Sequence, residues 1–279
     1  VVSAQTLTEI RVLLAEHGLA PKKSLGQNFL IDRNLVAKLV DESGVGAGDL
    51  VLEVGPGTGT LTGELLDRGC EVVACELDDG LASLVSNRFE GRAGFTLVHA
   101  DCLADKRTLA PEIAGALGDR PFRLVANLPY QAATPLILHL LTRRPNCTGV
   151  FVTIQREVAD RILAAPGTKE YGTISVVAGC LAKSRRIANL PCECFWPRPK
   201  IVSTMIGMER LETPKTGDGV HLADFCQRVF TGRRKQLGGV LRSMGLTPDP
   251  WPENIDPTDR VEALSPEGIE RLAEACRSG

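Results

Sequence analysis

The stretch LVLEVGPGTGTLT, residues 50–62, decides the reading of the fold. Leu50 to Val54 are apolar apart from Glu53, and glycines follow at 55, 57 and 59. An apolar run that breaks into alternate glycines reads as a buried strand turning tightly toward a helix. Glycine admits the turn and lets the backbone approach a ligand closely. A dinucleotide fingerprint reads G-x-G-x-x-G, but Thr60 stands where its third glycine belongs, and the pattern here is E-x-G-x-G-x-G. An acid two residues before the first glycine is poorly suited to a pyrophosphate and well suited to a cation. S-adenosylmethionine carries an ammonium and a sulfonium and has no phosphate.

Outward from this turn, short apolar runs alternate with helical spacing as far as Arg161. Residues 71–77, 95–100, 122–127 and 149–155 read as strands. The segments LTGELLDRG, DDGLASLVSNRF, RTLAPEIAGAL and TPLILHLLTRR between them read as helices. Strand–helix alternation implies a parallel sheet with helices on both faces, which binds ligands beyond the carboxyl ends of its strands. Glu53, Glu76, Asp101 and Asn127 stand at the ends of four consecutive strands. One such residue alone reads as a solvated strand end or a helix cap. Four beside three glycines read as a shared site, with Glu76 placed to accept from ribose hydroxyls and Asp101 from an adenine amine.

The run RLVANLPY, residues 123–130, ends its strand on an amide, a proline and a phenol. An exocyclic purine amine is a weak nucleophile because its lone pair is delocalised into the ring. Accepting both of its N–H bonds, one at the Asn127 side-chain oxygen and one at the Leu128 carbonyl, frees that lone pair. Pro129 restricts Leu128 and so aims its carbonyl. Tyr130 offers a face on which a base can stack. With a sulfonium as leaving group no general base is needed, and orientation and fixed dipoles carry the catalysis. The base must be unstacked or flipped to reach such a site.

At 279 residues and 43% hydrophobic content the chain fits one large or two smaller globular domains. No run of 18 apolar residues suggests a membrane span. The N-terminal 19 residues lack the pattern of a signal peptide, and the missing initiator Met suggests that residues before Val1 have been removed. Nine Cys without a C-x-x-C pair and four scattered His show no metal spacing. Cys70, Cys75, Cys102 and Cys180 read as small core residues, so the expectation is a reducing, cytoplasmic setting with no disulfide and no metal. The net charge of −2 conceals an uneven distribution. Five basic residues fall between Lys183 and Lys200 and five more between Val220 and Met244, while residues 245–279 carry eight acids. Solvated helix faces explain either basic cluster alone, and the two together favour a polyanion-binding face. The polar run 209–219 reads as a domain boundary, and Ser265-Pro266 as a helix start.

Taken together, the motifs resemble the KsgA-type small-subunit ribosomal RNA adenine N6,N6-dimethyltransferases from about Lys22 to Ala273. KKSLGQNFL (22–30), EVGPGTGTLT, ELD, HAD, NLPY, FWPRPKIVS (195–203), and FTGRRKQL (230–237) with IDPTDRVEALSPEGIERLA (255–273) follow one another in the family's order. The resemblance implies a Rossmann-like class I methyltransferase domain, an α/β fold with a mostly parallel seven-stranded sheet. That domain spans 1–212 with an N-terminal extension 1–30, and a small helical domain, 213–279, contributes to RNA binding. It implies S-adenosylmethionine held by Asn28, Leu30, Glu53, Gly55, Gly57, Gly59, Glu76, Leu77, Asp101, Cys102 and Asn127. It implies catalysis by Asn127, Leu128, Pro129 and Tyr130, with Phe195 packing against the target base. Lys22, Lys23, Arg198, Lys200, Arg233, Arg234 and Lys235 become RNA contacts. The expected substrate is two adjacent adenosines in the small-subunit rRNA of an immature 30S particle, and a monomer is expected. Two departures stand out: Val202 replaces the family's usual Asp, and Gly238-Gly239 is expected to break or bend its helix.

Other readings remain. The related large-subunit methylase of macrolide resistance fits the C-terminal match less well. An assembly factor whose methylation is secondary could coexist with the enzyme. A DNA adenine methylase usually carries D-P-P-Y, and a nicotinamide dehydrogenase would bind NAD.

Overall fold

A computed structural model describes residues 5–105 and 108–277. Its elements begin with helix α1 (Leu7–Glu16), strand β1 (Phe29–Leu30) and helix α2 (Arg33–Ser43). Then follow β2 (Leu50–Val54), α3 (Thr60–Asp67), β3 (Glu71–Glu76), α4 (Asp79–Arg88) and β4 (Phe95–His99). A short hairpin, β5 (Leu103–Asp105) and β6 (Thr108–Leu109), precedes α5 (Pro111–Leu117). The chain continues through β7 (Phe122–Asn127), α6 (Ala133–Arg143), β8 (Cys147–Gln155), α7 (Arg156–Ile162), α8 (Thr173–Leu181) and β9 (Ala182–Leu190). Last come β10 (Phe195–Trp196), β11 (Ser203–Arg210), α9 (Gly219–Val229), α10 (Leu237–Ser243) and α11 (Pro266–Ala275).

The seven-stranded sheet runs β4-β3-β2-β7-β8-β11-β9. The pairs β2/β3, β3/β4, β2/β7 and β7/β8 are parallel. All five residues of β2 are buried, as a strand covered on both faces requires. From β2 the chain steps outward to β3 and β4 and then returns to place β7 on the other side of β2. The order reverses between β2 and β7, and a crevice opens at their carboxyl ends. Those ends are the glycine turn and Asn127.

By contact the chain divides into two units: residues 1–139, 146–159 and 186–207, and residues 140–145, 160–185 and 208–279. In the first unit, β1 pairs antiparallel with β10, with Phe29 opposite Trp196 and Leu30 opposite Phe195. The second unit is built on α8, α9 and α11. Gly179 of α8 lies so close to α11 that a Cβ there would come within 2.7 Å of Pro266. Ser265 caps α11 by accepting from the Gly268 N–H, as its sequence suggests.

Two local expectations give way. Residues 108–109 form a strand of the hairpin, and the helix begins only at Pro111, where proline suits the first helical turn. Gly238 and Gly239 do not break a helix. The interruption comes earlier, at residues 230–236, and the two glycines fall in the first turn of α10. There a Cβ on Gly238 would meet Pro257 at 3.1 Å, so the missing side chain serves close packing.

Candidate active site

Gly55 and Gly57 adopt φ of +72° and +61°, the left-handed region that disfavours side chains. Space for a Cβ is short as well. One on Gly55 would lie 3.1 Å from Pro129 Cγ, and one on Gly57 2.8 Å from the Phe29 ring. The turn is therefore pressed between NLPY on one side and β1 on the other. The Gly57 N–H donates to Glu76 Oε2 at 3.2 Å. Glu76 Oε1 accepts from the Leu77 and Asp78 N–H groups at 3.0 and 2.9 Å. Burial raises the Glu76 pKa against the pull of these donors.

Asp78 caps α4 and also anchors the segment before β1. It takes the Lys22 ammonium at 2.7 Å and the Gln27 amide at 3.2 Å. Burial opposes its ionisation, yet Lys22 and the α4 N–H groups hold its pKa below the ordinary value.

Asn127 Nδ2 donates to the Asn28 carbonyl at 2.9 Å. A carbonyl can only accept, so this bond fixes which end of the amide faces the N-terminal segment and frees Oδ1 for another donor. Among the described residues neither Oδ1 nor the Leu128 carbonyl takes a hydrogen bond. Leu128 is anchored by its buried side chain and by its N–H, which donates to the Thr153 carbonyl at 3.1 Å. The Tyr130 hydroxyl lies 3.1 Å from Ser203 Oγ, at the start of β11. Burial pushes the Tyr130 pKa up, and Ser203 counters it.

These groups line one cavity of about 550 Å³. Asn28, Gly55, Gly57, Glu76, Leu77, Asp101, Cys102, Asn127, Leu128, Pro129 and Tyr130 all reach it. The volume falls within the range of small-molecule sites. Asp101 is exposed and accepts from the Leu103 N–H at 3.0 Å. Four of the expected residues lie elsewhere. Gly59 caps α3. Leu30 and Glu53 face a smaller void of about 40 Å³, which shares Gly55 and Asn127 with the main cavity. Glu53 is 1% exposed and accepts from Thr62 Oγ1 at 2.7 Å, and burial pushes its pKa up to about 8.

Phe195 is the fourth, and the expectation that it and Tyr130 sandwich a base is corrected by its place in the fold. It is 2% exposed, paired with Leu30 across the β1/β10 ladder and buried in the hydrophobic core. A ring so deeply covered presents no face to a ligand.

The basic residues also divide. Lys22 is held by Asp78. Arg233 donates to Glu262 at 2.8 Å and to the Lys169 and Thr168 carbonyls at 2.8 and 3.1 Å, so it staples a loop. Lys23, Arg198, Lys200, Arg234 and Lys235 are exposed. Thr62, Asp78, Gln27 and Ser203 escape the sequence reading. Asp78 alone carries a visible signal, as the last residue of ELD and the cap of α4. Among the described residues no three His, Cys, Asp or Glu gather as a metal site, and no helix is long and apolar enough to cross a membrane.

The family model for ribosomal RNA adenine dimethylase matches residues 18–277. The chain is 38% identical to the ribosomal RNA small subunit methyltransferase A of Phenylobacterium zucineum, over 98% of this chain and 94% of that one. It is 42% identical to the protein of the same name from Leifsonia xyli, over 91% and 95%. Among solved structures, a dimethyladenosine transferase from Plasmodium falciparum aligns with a TM-score of 0.71 at 22% identity, over 86% of this chain and 94% of that one. The 23S rRNA methyltransferase ErmE aligns with a TM-score of 0.65 at 24% identity, over 89% and 99%. These two likenesses speak for the fold, a class I methyltransferase sheet. With a family model covering nearly the whole chain and close relatives along its full length, the chain belongs to the ribosomal RNA adenine dimethylase family.

Proposed function

We propose that this chain transfers methyl groups from S-adenosylmethionine to N6 of two adjacent adenosines in small-subunit ribosomal RNA, within an immature 30S particle in the cytoplasm. The observation that carries the reading is the state of NLPY. The Asn127 amide is locked by the Asn28 carbonyl, and its oxygen and the Leu128 carbonyl remain open acceptors on residues that line the main cavity. Two acceptors placed side by side match the two N–H bonds of an adenine amine. Accepting both draws the N6 lone pair out of the ring and points it at an electrophile.

The cavity residues suit the cofactor. Glu76 keeps acceptor capacity for ribose hydroxyls, Asp101 stands exposed for an adenine amine, and Gly55 and Gly57 allow close backbone approach. Glu53 lies outside this cavity, in the smaller void that shares Gly55 and Asn127 with it. When bound, the cofactor would supply a methyl carried on a sulfonium, with a neutral thioether as its leaving group. The amine proton passes to water, and the monomethylated amine keeps one N–H, which one of the two acceptors, Asn127 or Leu128, holds for a second round. Tyr130 supplies the stacking face within the cavity. The protein acts as a monomer, and residues 213–279 contribute RNA contacts through Arg234 and Lys235, in the stretch between α9 and α10.

The test is methylation of undermodified small subunits with labelled cofactor and mapping of the product. Wild type should yield dimethyladenosine at two neighbouring positions. Asn127→Ala should bind S-adenosylhomocysteine and RNA within about threefold of wild type and lose methylation by at least roughly a hundredfold. A normal rate in that variant overturns the assignment.

A further inference from the structure

Four large apolar side chains stand out as exposed among the described residues: Val12, Leu77, Ile201 and Val202. Leu77 lines the main cavity, and Val12 stands alone on α1. Ile201 and Val202 are adjacent, 48% and 37% exposed, and form one apolar tip. Exposed basic residues lie on its N-terminal side. Lys200 precedes it, and Arg198 nearby has a side chain 70% exposed, with Glu193 at 3.7 Å.

The tip is held beside the candidate active site. The Val202 carbonyl accepts from the Arg156 N–H at 3.0 Å. The next residue, Ser203, is fully buried and bonds the Tyr130 hydroxyl at 3.1 Å. Consecutive Cα atoms are about 3.8 Å apart, so the apolar pair begins one residue from the group that touches the cavity's aromatic ring. Its backbone is pinned, and its side chains are left in water.

On the reading given above, an adenine must leave its stack to enter the cavity. Its departure uncovers the face of the neighbouring base. Nucleic-acid proteins that open a step commonly fill it with an aliphatic wedge. We propose that Lys200–Val202 is a second RNA-contact surface, where Ile201 and Val202 cover the base next to the extruded adenine while Arg198 and Lys200 hold the flanking phosphates. Apolar tip and cationic flank together match a polyanion with an exposed base face. An apolar protein partner would have no use for the flanking cations.

The experiment uses the full chain and undermodified small subunits. The variants are Ile201→Ser with Val202→Ser, Ile201→Met with Val202→Met, and Lys200→Gln. The serine pair should bind subunits roughly tenfold more weakly, the equivalent of one lost stacking contact, with an unchanged salt slope. The methionine pair should bind like wild type. Lys200→Gln should lower the slope of log affinity against log salt by about one. Affinity for S-adenosylhomocysteine should stay constant throughout. A 2-aminopurine reporter beside the target adenine, in an RNA hairpin bearing the target loop, should change its fluorescence on binding wild type and respond less to the serine pair.

Equal binding by the serine pair and wild type overturns the proposal. So does an apolar pair whose only effect is on self-association, measured by sedimentation. Failure of wild type to methylate these subunits would instead overturn the proposed function.

Discussion

Replacing Glu53 by Gln should change the pH dependence of stability more than any other single substitution at this site. In the unfolded chain the carboxyl ionises near 4.5, and in the fold burial moves it to about 8. Between those values the folded protein keeps a proton that the unfolded chain has released, so rising pH favours unfolding. The stabilisation is whole below pH 4.5 and is lost as the pH climbs through 8. The gap corresponds to roughly 5 kcal/mol at most. Gln keeps the volume and an acceptor for the Thr62 hydroxyl and removes the ionisation. Urea unfolding of both proteins from pH 5 to pH 8.5 isolates the effect, because the other titrating groups cancel in the difference. The two proteins should be matched near pH 5, and the variant should be more stable by about 2–4 kcal/mol at pH 8. Parallel profiles would refute the reasoning, since they would mean that Glu53 is solvated or already ionised. A corollary concerns ligands: affinity for a cation bound near Glu53 should rise with pH in wild type and stay flat in Glu53→Gln.

Other substitutions test the packing and the site. Arg233→Ala should cost about 2 kcal/mol in unfolding free energy and speed proteolysis within residues 163–172, because Glu262 and two carbonyls lose a charged donor. Arg234→Gln should leave stability unchanged and reduce the salt slope of RNA binding by about one. Thr153→Val should be neutral or stabilise by up to about 1 kcal/mol, since the buried Thr153 hydroxyl has no hydrogen-bond partner; thermal unfolding decides it. Ser203→Ala should lower the methylation rate several-fold with RNA affinity kept. Tyr130→Phe should do the same, and the double variant should add little, as expected of two groups acting through one bond.

The central sheet was legible because its strands announce themselves. Residues 50–54 and 122–127 are apolar runs closed by polar residues with chemical purpose, and both strands lie where the sequence places them. Helix α8 and strand β9 were not read. The former is apolar on nearly every side, which blurs periodicity, and the latter carries the basic residues that draw attention to charge first. The acceptors Asn127 and Leu128 could be read from their order in the chain, but the bond that orients Asn127 comes from a backbone carbonyl, which has no sequence signature. Phe195 illustrates the same limit. Its burial depends on Leu30, far away in sequence, and an aromatic residue in a loop motif looks the same whether it faces a ligand or a core. The staple role of Arg233 was hidden for a like reason, since two of its three acceptors are peptide groups.

The strip from Lys22 to Ile31 is tied to Asp78, to Asn127 and, through β1 and the Ile31 N–H, to residues 194–196. Its partners are therefore synthesised long after it. A nascent chain that has reached only the glycine turn holds Phe29 and Leu30 without their matching strand and Asn28 without the amide it orients. The candidate site cannot be assembled in the order in which it is translated, and closes only once Trp196 has left the ribosome.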